Sequence, residues 1–116
     1  MRRKQGTLIP VEVAILEAGL SLLSRGEDEF HGYQLASEIR TRAGETYRTA
    51  AGTLYRALDR MEQAGLLDSR WEDPSSPEVA GRPPRRLYRV TGAGEAAYRR
   101  PLRDAAATLQ QGSQPA

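Results

Sequence analysis

The chain contains no cysteine and a single histidine, His31, among its 116 residues. Without thiols it can form no disulfide, no thiolate metal site and no cysteine nucleophile. One imidazole excludes a multi-histidine metal centre and leaves one group for acid–base work near neutrality. Long apolar runs are absent too: nothing approaches the roughly 20 residues that a membrane-spanning helix needs. The opening Met1-Arg2-Arg3-Lys4 is basic, as a signal peptide would be, but no continuous apolar segment or small-residue cleavage site follows. A cytoplasmic location without a membrane partner is therefore expected. No set of residues has the make-up of a catalytic triad, a metal site or a phosphate loop. The sequence thus predicts a non-enzyme with no cofactor and no metal, of a length that suits one domain with one modest core.

Lysine is scarce as well. Lys4 is the only one, so sixteen of the 17 basic residues are arginine. Genomic base composition accounts for such a bias, and so does a need for bidentate contacts to phosphate or guanine. Position is more informative than type. Between Glu12 and Glu45 there are seven acids and three arginines; between Thr46 and Arg103 there are eleven arginines and seven acids. The formal net charge of +2 is the remainder of an acidic half and a basic half. Such polarity is what a surface that docks on a polyanion displays.

Residues 1–8 read as a flexible basic arm. Ile9, Val13, Leu16, Leu20 and Leu23 then recur at helical spacing, with Pro10 in the first turn and Arg25-Gly26 as the stop. Gly19 weakens the middle of this first helix. A second, short helix over about 33–43 places Tyr33, Ala36, Ile39 and Ala43 on one face, with Leu35 beside Ile39. A third, from about Ala51 to Ala64, carries Leu54, Leu58 and Met61 inward and Tyr55, Arg56, Asp59, Arg60 and Gln63 outward, with Gly65 just beyond its end. The period then changes to two. Leu67, Ser69 and Trp71 alternate with polar residues, and a second strand follows at Arg86–Val90, where Tyr88 and Val90 share a face. Four of the seven prolines lie between these strands, which makes that stretch a loop. Thr91 is placed to cap a last helix, whose stripe is Tyr98, Leu102, Ala105 and Leu109 and which Pro101 kinks or shortens.

The expected fold is mainly α with a small β hairpin, in the order α-α-α-β-β-α. That is a winged helix-turn-helix, in which the third helix reads the major groove and the second braces it. The hairpin tip, Gly81-Arg82-Pro83-Pro84-Arg85-Arg86, places three arginines in a stretch without an acid from Val79 to Gly94. An arginine beside stiffening prolines suits a narrow minor groove. Candidate DNA contacts are therefore Arg48, Thr49, Thr53, Tyr55, Arg56 and Arg60 around the third helix and Arg82, Arg85 and Arg86 on the wing. Trp71 is expected to pack on the strand, with lining of a ligand pocket as the other reading. Tyr33 and Tyr88 are expected in the core, and His31 at the start of a helix. Asp59 and Glu62 are close enough to meet, but nearby arginines would keep both ionised.

Four segments in register carry a resemblance. They are His31-Gly32-Tyr33-Gln34-Leu35-Ala36, the run from Gly52 to Leu67 containing Thr53-Leu54-Tyr55, Ser69-Arg70-Trp71-Glu72, and the run from Pro84 to Gly94. Together they resemble the PadR family of bacterial transcriptional regulators over about 85 residues, from the first helix to the start of the last. The resemblance implies a winged-helix DNA-binding domain, a homodimer, and repression relieved by a small ligand or stress signal. Family DNA contacts carried onto matching positions fall at Thr53, Tyr55 and Arg82. The family often has proline where this chain has Arg56, and the last helix, which Pro101 interrupts, builds its dimer interface.

These readings divide the chain into an arm (1–8), a DNA-binding domain (9–91), a dimerisation helix (92–110) and a flexible tail (111–116). The first and last helices carry more apolar surface than one small core covers. Ile9, Val13, Leu16, Leu20, Tyr98, Leu102 and Leu109 are therefore the expected dimer contacts, with a small-molecule effector expected at that interface. The expected partner is double-stranded DNA bearing an inverted repeat. The competing reading is a winged-helix adaptor whose basic face binds an acidic protein.

Overall fold

Helix α1 spans Pro10–Ser24, and it begins where the sequence supplies both a proline and an acid. Pro10 occupies the first position, where no backbone donor is needed. The Glu12 carboxylate reaches back to accept the Ile9 N–H at 3.1 Å. At the other end Gly26, at φ +89°, lets the Gly26 and Glu27 amides return to the Leu23 and Leu22 carbonyls. This is the paired closure of a Schellman motif.

The computed structural model describes residues 8–43 and 50–100. After α1 come β1 (Phe30–His31), α2 (Gly32–Ala43), α3 (Ala51–Gln63), β2 (Leu67–Trp71) and β3 (Arg86–Val90). A further helix, α4, covers residues 92–100. Arg48, Thr49, Pro101, Leu102 and Leu109 lie outside the described residues, as do the arm to residue 7 and the tail. No helix among the described residues is long and apolar enough to cross a membrane.

The sheet differs from the expected hairpin. It has three antiparallel strands in the order β1-β3-β2, because Phe30 and His31 pair with Tyr88 and Leu87. Two residues are too few for a period-two pattern to be visible in sequence. The longer ladder pairs Leu67 with Val90 and Trp71 with Arg86. With β1 on one side and helices on one face, the hairpin no longer stands alone, which answers the marginal stability of an isolated pair.

The core joins Ile15, Leu16, Ala18 and Leu22 of α1, Phe30, Leu35 and Ile39, then Leu54, Ala57, Leu58 and Met61 of α3, Leu67 and Tyr88. Helix α3 buries the face its spacing predicts. Helix α1 does not: only Leu16 of the expected stripe is fully buried, while Ile9, Val13 and Leu20 are half-buried and Leu23 is exposed. A helix apolar on most sides has no single legible face, and here the sheet and α2 select the Ile15–Leu22 side. Leu16, expected at a dimer contact, thus belongs to the core of its own chain. Gly19 sits where α1 crosses the sheet, and a methyl group there would press on Val90 and the Phe30 ring.

Thr91 links the sheet to α4. Its hydroxyl oxygen accepts the Gly94 N–H at 3.0 Å and its hydroxyl donates to the Gly65 carbonyl at 2.7 Å, so one side chain caps α4 and ties it to the end of α3. The α3 end closes as α1 does, with Gly65 at φ +80° and the Gly65 and Leu66 amides on Glu62 and Met61. Tyr98, another expected dimer residue, is half-buried; its hydroxyl donates to Glu17 and so ties α4 to α1 in the same chain.

Candidate nucleic-acid interface

Burying Leu54, Ala57, Leu58 and Met61 leaves Thr53, Tyr55, Arg56, Asp59 and Arg60 on the solvent side of α3. Spacing thus places the neutral hydrogen-bonding groups Thr53 and Tyr55 in the first turns of an exposed helix, beside Arg56. The Arg56 guanidinium meets only the Thr53 hydroxyl among the described residues, at 3.4 Å, so its charge faces solvent. Arg60 is different. Its Nε donates at 2.9 Å to the carboxylate of Glu12, which has no exposed surface.

The hairpin supplies the remaining expected contacts, and the structure separates them. Arg82 grips Glu72 with both terminal nitrogens, at 2.7 and 3.1 Å. Glu72 also accepts the backbone N–H of Arg85. One carboxylate therefore folds the hairpin tip, and the Arg82 guanidinium beside it holds the Glu72 carboxyl down at about 2. Arg86 donates to Glu62 at 2.7 Å and to Ser69 at 2.9 Å, and its guanidinium lies 6.0 Å from the Trp71 ring centre and 5.8 Å from that of Tyr88. Arg85 is exposed, and its side chain makes no ion pair among the described residues. The basic tip read from sequence is thus one free guanidinium and two engaged ones. The carboxylates that engage them, Glu72 and Glu62, sit ten and 24 positions away.

Two aromatic residues are corrected. Tyr33, expected in the core, is 73% exposed, and Trp71, expected to pack on the strand, is 64% exposed. Tyr33 falls on the first turn of α2, where the apolar stripe has not yet reached the core that Leu35 and Ile39 enter. Trp71 ends β2 four residues past the buried Leu67, beside the Arg86 guanidinium and not in the core. Tyr88, on the neighbouring strand, is buried as expected, and burial raises its hydroxyl pKa. His31 does begin a helix, although it belongs to β1. Its Nδ1 accepts the Gln34 N–H at 3.2 Å, and burial followed by the charge of Arg85 lowers its pKa. Asp59 and Glu62 form no carboxylate pair; Glu62 is taken by Ser69 and Arg86.

These positions converge. His31, Gly32, Tyr33, Tyr55, Trp71, Arg85 and Arg86 line one open groove of about 380 Å³. The start of α2, the exposed face of α3 and the hairpin each contribute a wall.

An exposed amphipathic helix braced by a second helix, with a basic β hairpin beside it, defines a winged helix. The sequence profile of the PadR-like family of transcriptional regulators matches residues 20–100, and the chain belongs to that family. It is 45% identical over 71 residues to a transcriptional regulator of Mycobacterium tuberculosis, Rv3488, a match covering 61% of this chain and 58% of that protein. The match thus spans less than two thirds of that relative. A transcriptional regulator from Clostridium thermocellum has a similar structure, with a TM-score of 0.63 and 28% identity over 86% of this chain and 84% of that one. PadR of Bacillus subtilis, solved in complex with operator DNA, shares the fold with a TM-score of 0.59 at 21% identity, over 79% of this chain and 46% of that one.

Proposed function

We propose that this chain is a sequence-specific DNA-binding regulator that acts as a dimeric repressor, released from its operator by a small ligand or stress signal. The observation that carries the DNA-binding part is the shared surface of the exposed α3 face and the hairpin tip. There Tyr55 lines one groove with Arg85, and Thr53 and Arg56 are exposed on the same helix as Tyr55, which suits base-reading and phosphate-binding groups. The operator complex of the B. subtilis protein supports carrying this role to a chain of the same fold.

In this reading α3 enters the major groove and the wing reaches the neighbouring minor groove. Thr53 and Tyr55 read base edges; Arg56 and Arg85 bind phosphate, with Arg48 and Thr49 extending that surface. Arg60, Arg82 and Arg86 contribute through the geometry they hold. The half-buried Ile9, Val13 and Leu20, with Tyr98, Leu102 and Leu109, form the contact with a second chain. An effector bound there changes the spacing of the two α3 helices, and it acts only if it prefers one spacing over the other.

The test is a gel shift with the DNA upstream of the chain's own gene, against an unrelated duplex of equal length, at about 150 mM salt. A retarded band specific to the upstream fragment, with light scattering at twice 12.8 kDa, is expected. Absence of any specific shift together with capture of an acidic protein partner would replace this reading with that of an adaptor.

A further inference from the structure

We propose that the groove between α3 and the hairpin seats one sugar–phosphate strand of the bound duplex, with Trp71 and Tyr33 packing on deoxyribose and Arg85 meeting the phosphate. The inference rests on the DNA-binding reading above and deepens it.

The argument starts from the duplex. One sugar–phosphate strand always separates a major groove from the neighbouring minor groove. A protein that places a helix in one and a hairpin in the other must straddle that strand, and whatever lies between the two elements faces it. In this chain the space between them is the groove of about 380 Å³, with Tyr55 from α3 on one side and Trp71, Arg85 and Arg86 from the hairpin on the other.

Its lining suits a sugar–phosphate unit better than it suits water. Three aromatic side chains from three elements are left in solvent here: Tyr33 and Trp71 mostly exposed, Tyr55 about half. Aromatics with one flat apolar face and a polar edge are suited to half-wet interfaces. The Arg86 guanidinium beside the Trp71 ring, pinned by Glu62 and Ser69, fixes the inner wall, while Arg85 remains available for phosphate. Gly32 lets the Tyr55 ring lie against the start of α2, since a side chain there would overlap that ring. Gly32 is also the first residue of the 12-residue α2, so the positive end of that helix borders the seat.

Trp71 is the only tryptophan of the chain, so its fluorescence reports this groove alone. Because the seat is sequence-independent, a random-sequence duplex at low salt is a sufficient probe. The full chain is titrated with that duplex end-labelled, binding is followed by anisotropy, and acrylamide quenching of Trp71 is measured in the free chain and at saturation. Trp71 should become markedly less quenchable when DNA is bound. Trp71→Ala should weaken binding to random and upstream duplexes by the same factor, roughly five- to tenfold, whereas Trp71→Phe should retain most of the affinity. If the duplex binds and Trp71 remains as quenchable as in the free chain, the seat is overturned and the DNA-binding reading stands. An affinity loss on Trp71→Ala confined to one sequence also overturns the seat, since it would mark Trp71 as a base reader. If no duplex binds, the DNA-binding reading falls and the seat with it.

Discussion

Glu12 and Arg60 are 48 positions apart, yet the Arg60 Nε donates to Glu12 Oε2 at 2.9 Å and ties the first turn of α1 to the exposed helix α3. The carboxylate has no solvent-accessible side-chain surface, and the guanidinium keeps 42% of its own. The same carboxylate accepts the Ile9 N–H, so the pair sets both where α1 begins and how α3 lies upon it. Arg60→Ala should destabilise the chain by about 1–2 kcal/mol. That is less than for a fully buried pair, because solvent screens the exposed arginine and Glu12 keeps its amide bond. Urea unfolding checks the value. Arg60→Ala that leaves stability unchanged and instead lowers the salt dependence of DNA binding would return Arg60 to the phosphate-binding set.

Arg85 and Arg82 should behave differently although they stand three residues apart. Arg85→Ala removes a solvent-facing charge, so DNA affinity should fall on every sequence and the slope of log affinity against log salt should shrink by about one. Arg82→Ala should loosen the hairpin, since it frees Glu72 from its bidentate partner, and proteolysis between residues 73 and 84 should accelerate. Binding isotherms at several salt concentrations and a timed digest separate the two effects. Equal slope changes for both variants would mean that DNA displaces Glu72 from Arg82.

Gly94→Ala tests a packing constraint against a local preference. In an open helix the change should stabilise, by up to about 1 kcal/mol. Here a methyl group at residue 94 would overlap the Leu66 carbonyl where α4 meets the end of α3. The variant should lose about 1–3 kcal/mol, the usual cost of overpacking. A rise in the unfolding midpoint would refute that packing.

Acid should weaken the fold in two stages. The neutral imidazole of His31 caps α2, and burial and Arg85 hold its pKa below the ordinary 6.5. As pH falls through 6.5 the unfolded chain takes up this proton first, so the contribution of His31 is complete above that pH and declines below it. Glu72 follows: Arg82 holds it at about 2 against an ordinary 4.5, so its contribution is full above 4.5 and is lost between there and about 2. Arg70 lowers Glu29 and Arg25 lowers Glu38, so both act in the same direction. Urea midpoints measured from pH 7 downward should decline in both ranges. His31→Asn, which can still cap, should remove the first decline, and Glu72→Gln should reduce the second.

Much of this was legible in the residues. The Leu54, Leu58, Met61 spacing predicted the buried side of α3, and Gly65 and Thr91 marked the helix end and the cap where they occur. The strand β1 was not legible, because two residues carry no period. The stripe on α1 was misplaced because that helix is apolar on most sides. Tyr33 and Trp71 fall on apolar stripes by their spacing, yet each lies beyond the reach of the core.

The order and kind of the longer elements, the polarised charge and the family are properties of the sequence, since periodicity, turn chemistry and motif spacing are local. Which arginines remain free to meet a polyanion was decided by the tertiary structure. Arg82, Arg85 and Arg86 are near neighbours of one residue type in one hairpin. Only folding pairs the Arg82 and Arg86 guanidinium groups with Glu72 and Glu62 and leaves that of Arg85 without an ion pair among the described residues, because an ion pair depends on proximity in space, which chain order does not encode.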